Sequence, residues 1–157
     1  MSTTTCKKRK PHKRGARNKT TKTSAILKEY FDKNNIIYYQ RTVEPNIEVF
    51  LLPYDIQKQD ITLHIRIIVA DAINLCNMSF SYELNKDTDY SKELLDMNSE
   101  LVKGRLSVEK DSNQVTYSTN FRLYSNSDVQ ALYNQHFELC VSTLASLYKR
   151  KIIKTDE

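Results

Sequence analysis

Apolar and polar residues alternate with a period of two in several parts of this chain, which predicts β-strands. The alternation is most regular in 114–123, where every second position from Val115 to Leu123 would face a core. The other predicted strands are 36–43, 47–52, 61–69, 74–82 and 105–109. Because one side of most of these strands is polar, they predict an antiparallel sheet with one face towards solvent.

Three segments instead have the helical period of about 3.6. The predicted helices are 23–35 capped by Thr23 or Ser24, 92–102 capped by Ser91, and 128–153 with a capping box of Ser127 and Gln130. The buried stripe predicted for the middle helix is Leu94, Leu95, Leu101 and Val102. The element order predicts an α+β domain over 23–154, with five or six strands in one antiparallel sheet packed by helices.

Two residues interrupt the pattern around the middle helix. Gly104 is expected to adopt a positive φ where the helix ends and a strand begins, which is an architectural role. Asn98 lies among the apolar positions of that helix, and we expect its amide to bond a backbone group that would otherwise be unsatisfied.

Charge is distributed unevenly along the chain. Residues 1–22 contain nine Lys or Arg and no acid, whereas the remainder contains fifteen bases and nineteen acids. We expect this arm to be disordered in isolation. Its basic side chains could contact a polyanion, without base stacking because the arm has no aromatic residue: Lys7, Lys8, Arg9, Lys10, Lys13, Arg14 and Arg17. A targeting signal, a solubilising tail without a dedicated role, and an arm folded back on the acidic body remain alternatives.

Known catalytic and metal-binding patterns are not found in the sequence. His64, His136 and the three cysteines lack the paired spacing that structural zinc sites favour, so no metal or cofactor is predicted. Two glycines cannot form a phosphate-binding loop, and no nucleophile motif occurs, so we expect no enzyme. Scattered cysteines and the lack of a signal peptide or an apolar run of about 20 residues favour a cytoplasmic protein that does not enter a membrane.

Both faces of the strand at 47–52 are apolar. Phe50 and Leu52 are out of phase with Val49 and Leu51, and Tyr38 lies on the preceding segment. A second apolar face indicates a surface for a partner or for a dimer, formed by Tyr38, Phe50 and Leu52. The alternative is that the first helix covers it.

A motif around the middle helix resembles the YbjN-type branch of the type III secretion chaperone-like fold, a bacterial family often labelled sensory transduction regulators. The matching positions are Leu94-Leu95, Asn98, Leu101, Gly104, Leu106, Val108 and 113–115, and the overall resemblance covers 23–152. It implies a non-enzymatic cytoplasmic protein, often dimeric, that acts through protein partners.

Two functional hypotheses follow. The first is a non-catalytic regulator or adaptor that binds a protein partner, or a second copy of itself, through a sheet face or edge. The alternative is a nucleic-acid-associated protein in which residues 7–19 bind the phosphate backbone non-specifically. Binding through the arm should collapse with salt, whereas an apolar interface should persist.

Overall fold

The computed structural model describes residues 21–56, 61–85 and 89–154. Its elements are α1 (Thr23–Lys33), β1 (Tyr39–Glu44), β2 (Ile47–Ile56), β3 (Ile61–Ala70), a 3₁₀ turn (Asp71–Ile73), β4 (Leu75–Glu83), α2 (Ser91–Glu100), β5 (Arg105–Glu109), β6 (Gln114–Arg122) and α3 (Val129–Lys149). The strands form one antiparallel sheet in the order β1-β2-β3-β4-β6-β5. The predicted α+β class and its single antiparallel sheet are confirmed.

One face of the sheet forms the core with α1 and α3, and we call it the helix face. Leu63, Ile65 and Ile67 of β3 are at most 1% exposed there, while His64 and Arg66 between them point to the opposite, open face and are exposed. The regular alternation in β3, β4 and β6 therefore fixes which side each strand buries, as predicted.

The start of α1 is held by the turn that joins β3 to β4. Asp71 accepts hydrogen bonds from the backbone N–H and the hydroxyl of Ser24, both at 2.8 Å, and the hydroxyl of Thr23 donates to the carbonyl of Leu123 at 2.9 Å. The prediction that Thr23 or Ser24 caps the helix is wrong, because Asp71 supplies the acceptor from a distant segment. The positive end of the helix dipole also stabilises a carboxylate at this position.

The middle helix, α2, is shorter and less buried than predicted. It ends at Glu100, and Leu101 is extended. Leu95 and Val102 are 70% and 94% exposed, so their predicted place in the buried stripe is wrong. Leu94 faces the core as predicted, together with Met97, since α2 covers only one end of the sheet and touches it along a narrow strip spaced i, i+3.

The last helix ends at Lys149, four residues before the predicted end. Lys151 has a φ of 56°, which turns the chain back, so that Ile153 forms an antiparallel bridge with Leu84 and is buried. The predicted capping box is also wrong. Asp128 caps α3 by accepting from the N–H of Ala131 at 3.0 Å.

The predicted arm, residues 1–22, lies outside the described residues except for its last two positions. The expected polyanion contacts from Lys7 to Arg17 therefore stay predictions. Where α1 begins is nevertheless defined, because Thr23 is buried against Leu123 and Asn74 beside the turn at 71–73.

Candidate partner-binding site

One side chain of α2 bonds the backbone at the β5 edge of the sheet. Asn98 accepts from the N–H of Leu106 at 2.7 Å and donates to the carbonyl of the same residue at 3.0 Å. Leu106 is directly opposite Tyr117 of β6. Without Asn98, its N–H and carbonyl would point outwards from the sheet edge and lose these partners. The amide of Asn98 thus satisfies Leu106 much as a residue of a neighbouring strand would, which is the backbone bond expected of it from the sequence.

The β1 edge has no comparable cover. β1 pairs with β2 on one side, and no strand in the described part of the chain pairs with its other side. All six residues of β1 are exposed. Tyr39 and Val43 are 68% and 55% exposed, and Leu51, opposite Tyr39 on β2, is 44% exposed. An exposed edge with β-branched and aromatic side chains is a template for a further strand.

An apolar groove continues from the start of β1 towards α3. It has a volume of about 370 Å³ and is lined mainly by Ile36, Ile37, Pro53, Tyr54 and Phe137. The ring of Tyr54 contacts that of Phe137 edge-on, with centroids 5.0 Å apart. We call β1 and this groove together the β1 edge site.

Pro53 limits where a strand can be added on this side of the sheet. β1 covers β2 only as far as the pair Tyr39–Leu51, so the end of β2 from Leu52 to Ile56 extends beyond it. Proline has no N–H to donate and is found on edge strands for that reason. Backbone pairing is therefore favoured at β1 rather than along the end of β2.

Two of the three predicted partner-surface residues are buried within the chain. Phe50 is fully buried and Leu52 is 3% exposed, and the ring of Phe31 of α1 contacts that of Phe50 at 5.6 Å. Their assignment to an exposed surface is therefore wrong. Both faces of β2 are apolar, so periodicity could not show which one α1 covers. The exposed face holds Leu51 instead.

Tyr38, the third of these residues, is half-buried and links α1 to the start of β1. Its hydroxyl donates to Asp32 at 2.7 Å, and Lys28 binds the same carboxylate at 3.3 Å. The hydrogen bond from Tyr38, then that from Lys28, lowers the pKa of Asp32, against an opposing effect of desolvation. The contact fixes the direction in which the chain enters β1.

The two buried thiols of the core are expected to be unreactive. Burial raises the pKa of Cys76, which Asp71 raises further, and burial raises that of Cys140, each to about 12. Both thiols therefore stay protonated at neutral pH and pack as small apolar groups. Within the described residues no three His, Cys, Asp or Glu side chains are placed to hold a metal ion.

His136 is a buried polar residue whose burial the sequence did not predict. It is 2% exposed on α3, its Nδ1 is 2.9 Å from the hydroxyl of Thr119, and its ring stacks on Phe121 at 4.5 Å. Burial, with a smaller effect of Lys103, lowers the pKa of His136. The signal that could have shown it is its spacing from Tyr133 and Cys140, three and four residues away on the buried stripe.

The lowered pKa of His136 predicts sensitivity to acid. The unfolded chain binds a proton at a higher pH than the folded chain, so stability should fall as the pH drops below about 6.5, by at most about 1.4 kcal/mol per pH unit. Urea unfolding at pH 7.5 and 5.5 should show a smaller loss in His136→Asn, which keeps a polar atom facing Thr119. Equal losses in the two proteins would contradict this.

Comparison with known proteins supports the fold. No protein-family model matches the sequence, and no curated protein matches it. Among solved structures, the crystal structure of YbjN from E. coli, a proposed transcription regulator, matches with a TM-score of 0.64 at 12% identity, covering 85% of this chain and 96% of that one. The chain therefore has a YbjN-like fold, and the resemblance predicted from the sequence is confirmed at that level. In the described residues, no helix is long and apolar enough to cross a membrane.

Proposed function

We propose that this chain is a non-catalytic cytoplasmic regulator or adaptor that binds protein through the β1 edge site, as a dimer or with a protein partner. The observation that carries the proposal is the difference between the two edges of the sheet. Asn98 satisfies both outward backbone groups of Leu106 in β5, whereas β1 is exposed along its whole length. The β5 edge is thus protected at Leu106, and the β1 edge is left accessible.

The chemistry of the β1 edge site suits an extended segment of polypeptide. Backbone groups of β1 can pair with an added strand, and Tyr39 and Val43 offer apolar contacts on the open face. The groove beside Tyr54 and Phe137 can accept an apolar side chain from the same segment. A regulatory role is in keeping with the description of YbjN, whose fold this chain shares.

The test replaces the two exposed apolar residues of β1. Tyr39→Lys with Val43→Lys should abolish self-association in analytical ultracentrifugation, or capture of the protein partner, because charged edge residues oppose strand pairing. The matched control, Leu95→Lys with Val102→Lys, changes two exposed apolar residues on and after α2 and should have no effect.

Hydrogen exchange on the unmodified chain provides an independent readout. The backbone amides of β1 should become protected as the protein concentration rises, or when the partner is added. A chain that stays monomeric at all concentrations and captures no protein through β1 would contradict the proposal. So would equal effects of the two lysine pairs.

A further inference from the structure

The open face carries a group of basic side chains that the proposed function does not use. Arg66, Arg105 and Arg122 project from β3, β5 and β6, and Lys103 lies just before β5. All four are exposed, and none forms an ion pair with an acid in the part of the chain that the structure describes. We call these four residues the open-face basic patch.

Strand register places two of the arginines in one row across the sheet. Arg66 is opposite Ser79, Ser79 is opposite Ser118, and Ser118 is opposite Arg105. Three strand spacings of about 4.8 Å separate the backbones of Arg66 and Arg105 by about 14 Å. That distance is close to the width of about 12 Å of the major groove of duplex DNA, which lies between phosphates of opposite strands.

The surface between these cations is polar. A shallow groove of about 550 Å³ is lined by Asn77, Asn120 and Ser118 together with Lys103 and Arg105. Asn77 donates to Asn120 at 2.6 Å, which holds both amides in place. Amide and hydroxyl groups of this kind are frequent donors to phosphate oxygens.

Ser79, in the middle of the row, has an unusual environment. It is 2% exposed, and its hydroxyl has no hydrogen-bond partner among the described residues. A buried hydroxyl without a partner is costly, by about 1–3 kcal/mol. A phosphate oxygen that reached this row could accept a hydrogen bond from the hydroxyl.

Acidic residues of the open face lie at its other end. Asp55, Glu83 and Glu109 occupy the rows of the sheet beyond Ser81 and Thr116, and Glu83 pairs with Lys154 at 3.8 Å. The face is therefore positive beside Arg66 and Arg105 and negative about 14 Å further along the strands, four residues away at about 3.4 Å per residue. This polarity would orient an anionic polymer towards the basic end.

We propose that the open-face basic patch binds the phosphodiester backbone of duplex nucleic acid without sequence preference. The patch and its polar floor contain no aromatic side chain, so unpaired bases have nothing to stack on and a duplex is favoured over a single strand. The site belongs to the folded domain and is separate both from the β1 edge site and from the basic arm predicted at residues 1–22.

The test compares two triple variants of the full chain that lose the same charge. The patch variant is Arg66→Gln, Lys103→Gln and Arg105→Gln; the control is Lys33→Gln, Lys92→Gln and Lys149→Gln, three exposed lysines on the helices. Binding of a short fluorescent DNA duplex, its single strand and an RNA duplex is measured by anisotropy between about 50 and 200 mM salt.

Loss of the patch should weaken duplex binding at least about tenfold. The slope of the logarithm of the binding constant against the logarithm of the salt concentration should become shallower by nearly one unit for each lost phosphate contact. The control should stay within about twofold of the unmodified chain. Equal losses in the two variants, no loss in the patch variant, or no binding by the unmodified chain would each overturn the proposal. Tighter binding of the single strand would overturn the preference for a duplex.

A second measurement needs no substitution in the patch. Amide chemical shifts of the unmodified chain should move on addition of duplex at Asn77, Ser79 and Ser118 and stay unchanged in β1. Shifts confined to residues outside the open face would overturn the proposal. Because the lysine pair in β1 leaves this patch intact, failure of the protein-binding function and failure of this inference are distinguishable.

Discussion

Replacing Gly104 by alanine is expected to lower the free energy of unfolding by about 3 kcal/mol, from a left-handed backbone penalty of about 1–2 and overpacking of about 1–3. Gly104 has a φ of 79°, where a side chain is strained. An added Cβ would lie 2.6 Å from the hydroxyl of Tyr117 and 2.7 Å from the carbonyl oxygen of Ser118. Urea unfolding of the variant measures the loss, and Lys103→Ala, an exposed neighbour, should change stability little.

A double variant tests how much of the penalty comes from the hydroxyl of Tyr117. In a Tyr117→Phe background the hydroxyl is gone, but the backbone carbonyl of Ser118 and the ring carbon of Tyr117 at 2.7 Å remain close to the added Cβ. Gly104→Ala should therefore still cost about 2 kcal/mol or more. If the penalty disappeared in that background, contact with the tyrosine hydroxyl alone would explain it, and the account based on φ would be wrong.

Replacing Asn98 by alanine is expected to destabilise the chain by about 2 kcal/mol, because the N–H and carbonyl of Leu106 both lose their partner. Alanine is the better helix former by about half a kcal/mol, which offsets part of the loss. Asn98→Asp should be no better, since a carboxylate can accept from the N–H but repels the carbonyl oxygen. Urea unfolding measures the stability of each variant.

Hydrogen exchange at Leu106 gives the more specific readout for Asn98. Its amide should be protected in the unmodified chain and exchange faster in Asn98→Ala. Ser99→Ala is the matched control, because among the described residues the hydroxyl of Ser99 bonds the carbonyl of Asp96, within α2 itself. An amide at Leu106 that remains protected in Asn98→Ala would show that something other than this side chain covers the edge.

The sequence was most informative where one strict period applied. In β6, Val115, Tyr117 and Phe121 alternate with polar residues, and all three are buried as predicted. In β2 both faces are apolar, so the phase was ambiguous and Phe50 was assigned to the wrong surface. Only the position of α1 in three dimensions decides which face is covered, and a local pattern does not contain that position.

Helix ends were predicted less well, because distant residues determine them. Asp71, which holds the start of α1, is 47 residues away in sequence from its partner Ser24. Lys151 ends the last helical segment through a positive φ, a conformation that its residue type does not favour. The exposure of Leu95 has the same origin: α2 meets only the end of the sheet, which its own amphipathic pattern does not reveal.

Of the candidate site, the sequence predicted the apolar character of 47–52 and a sheet face or edge as the binding surface. It did not predict which edge is accessible, since that depends on the double hydrogen bond of Asn98. The sequence did not predict the open-face basic patch either. Arg66, Arg105 and Arg122 are far apart in sequence and come to lie on one face only through the strand order β3-β4-β6-β5.

The bonds from Asn98 to Leu106 at the β5 edge also bear on the stoichiometry of the proposed assembly. A sheet with two accessible edges can add chains head to tail without end, and such heterologous contacts produce filaments. If strand addition at β5 is blocked, identical chains that pair through the proposed β1 edge site would meet β1 to β1, across a twofold axis. Assembly of that kind would stop at two copies, because the bonds from Asn98 to Leu106 would oppose the further addition of chains at β5.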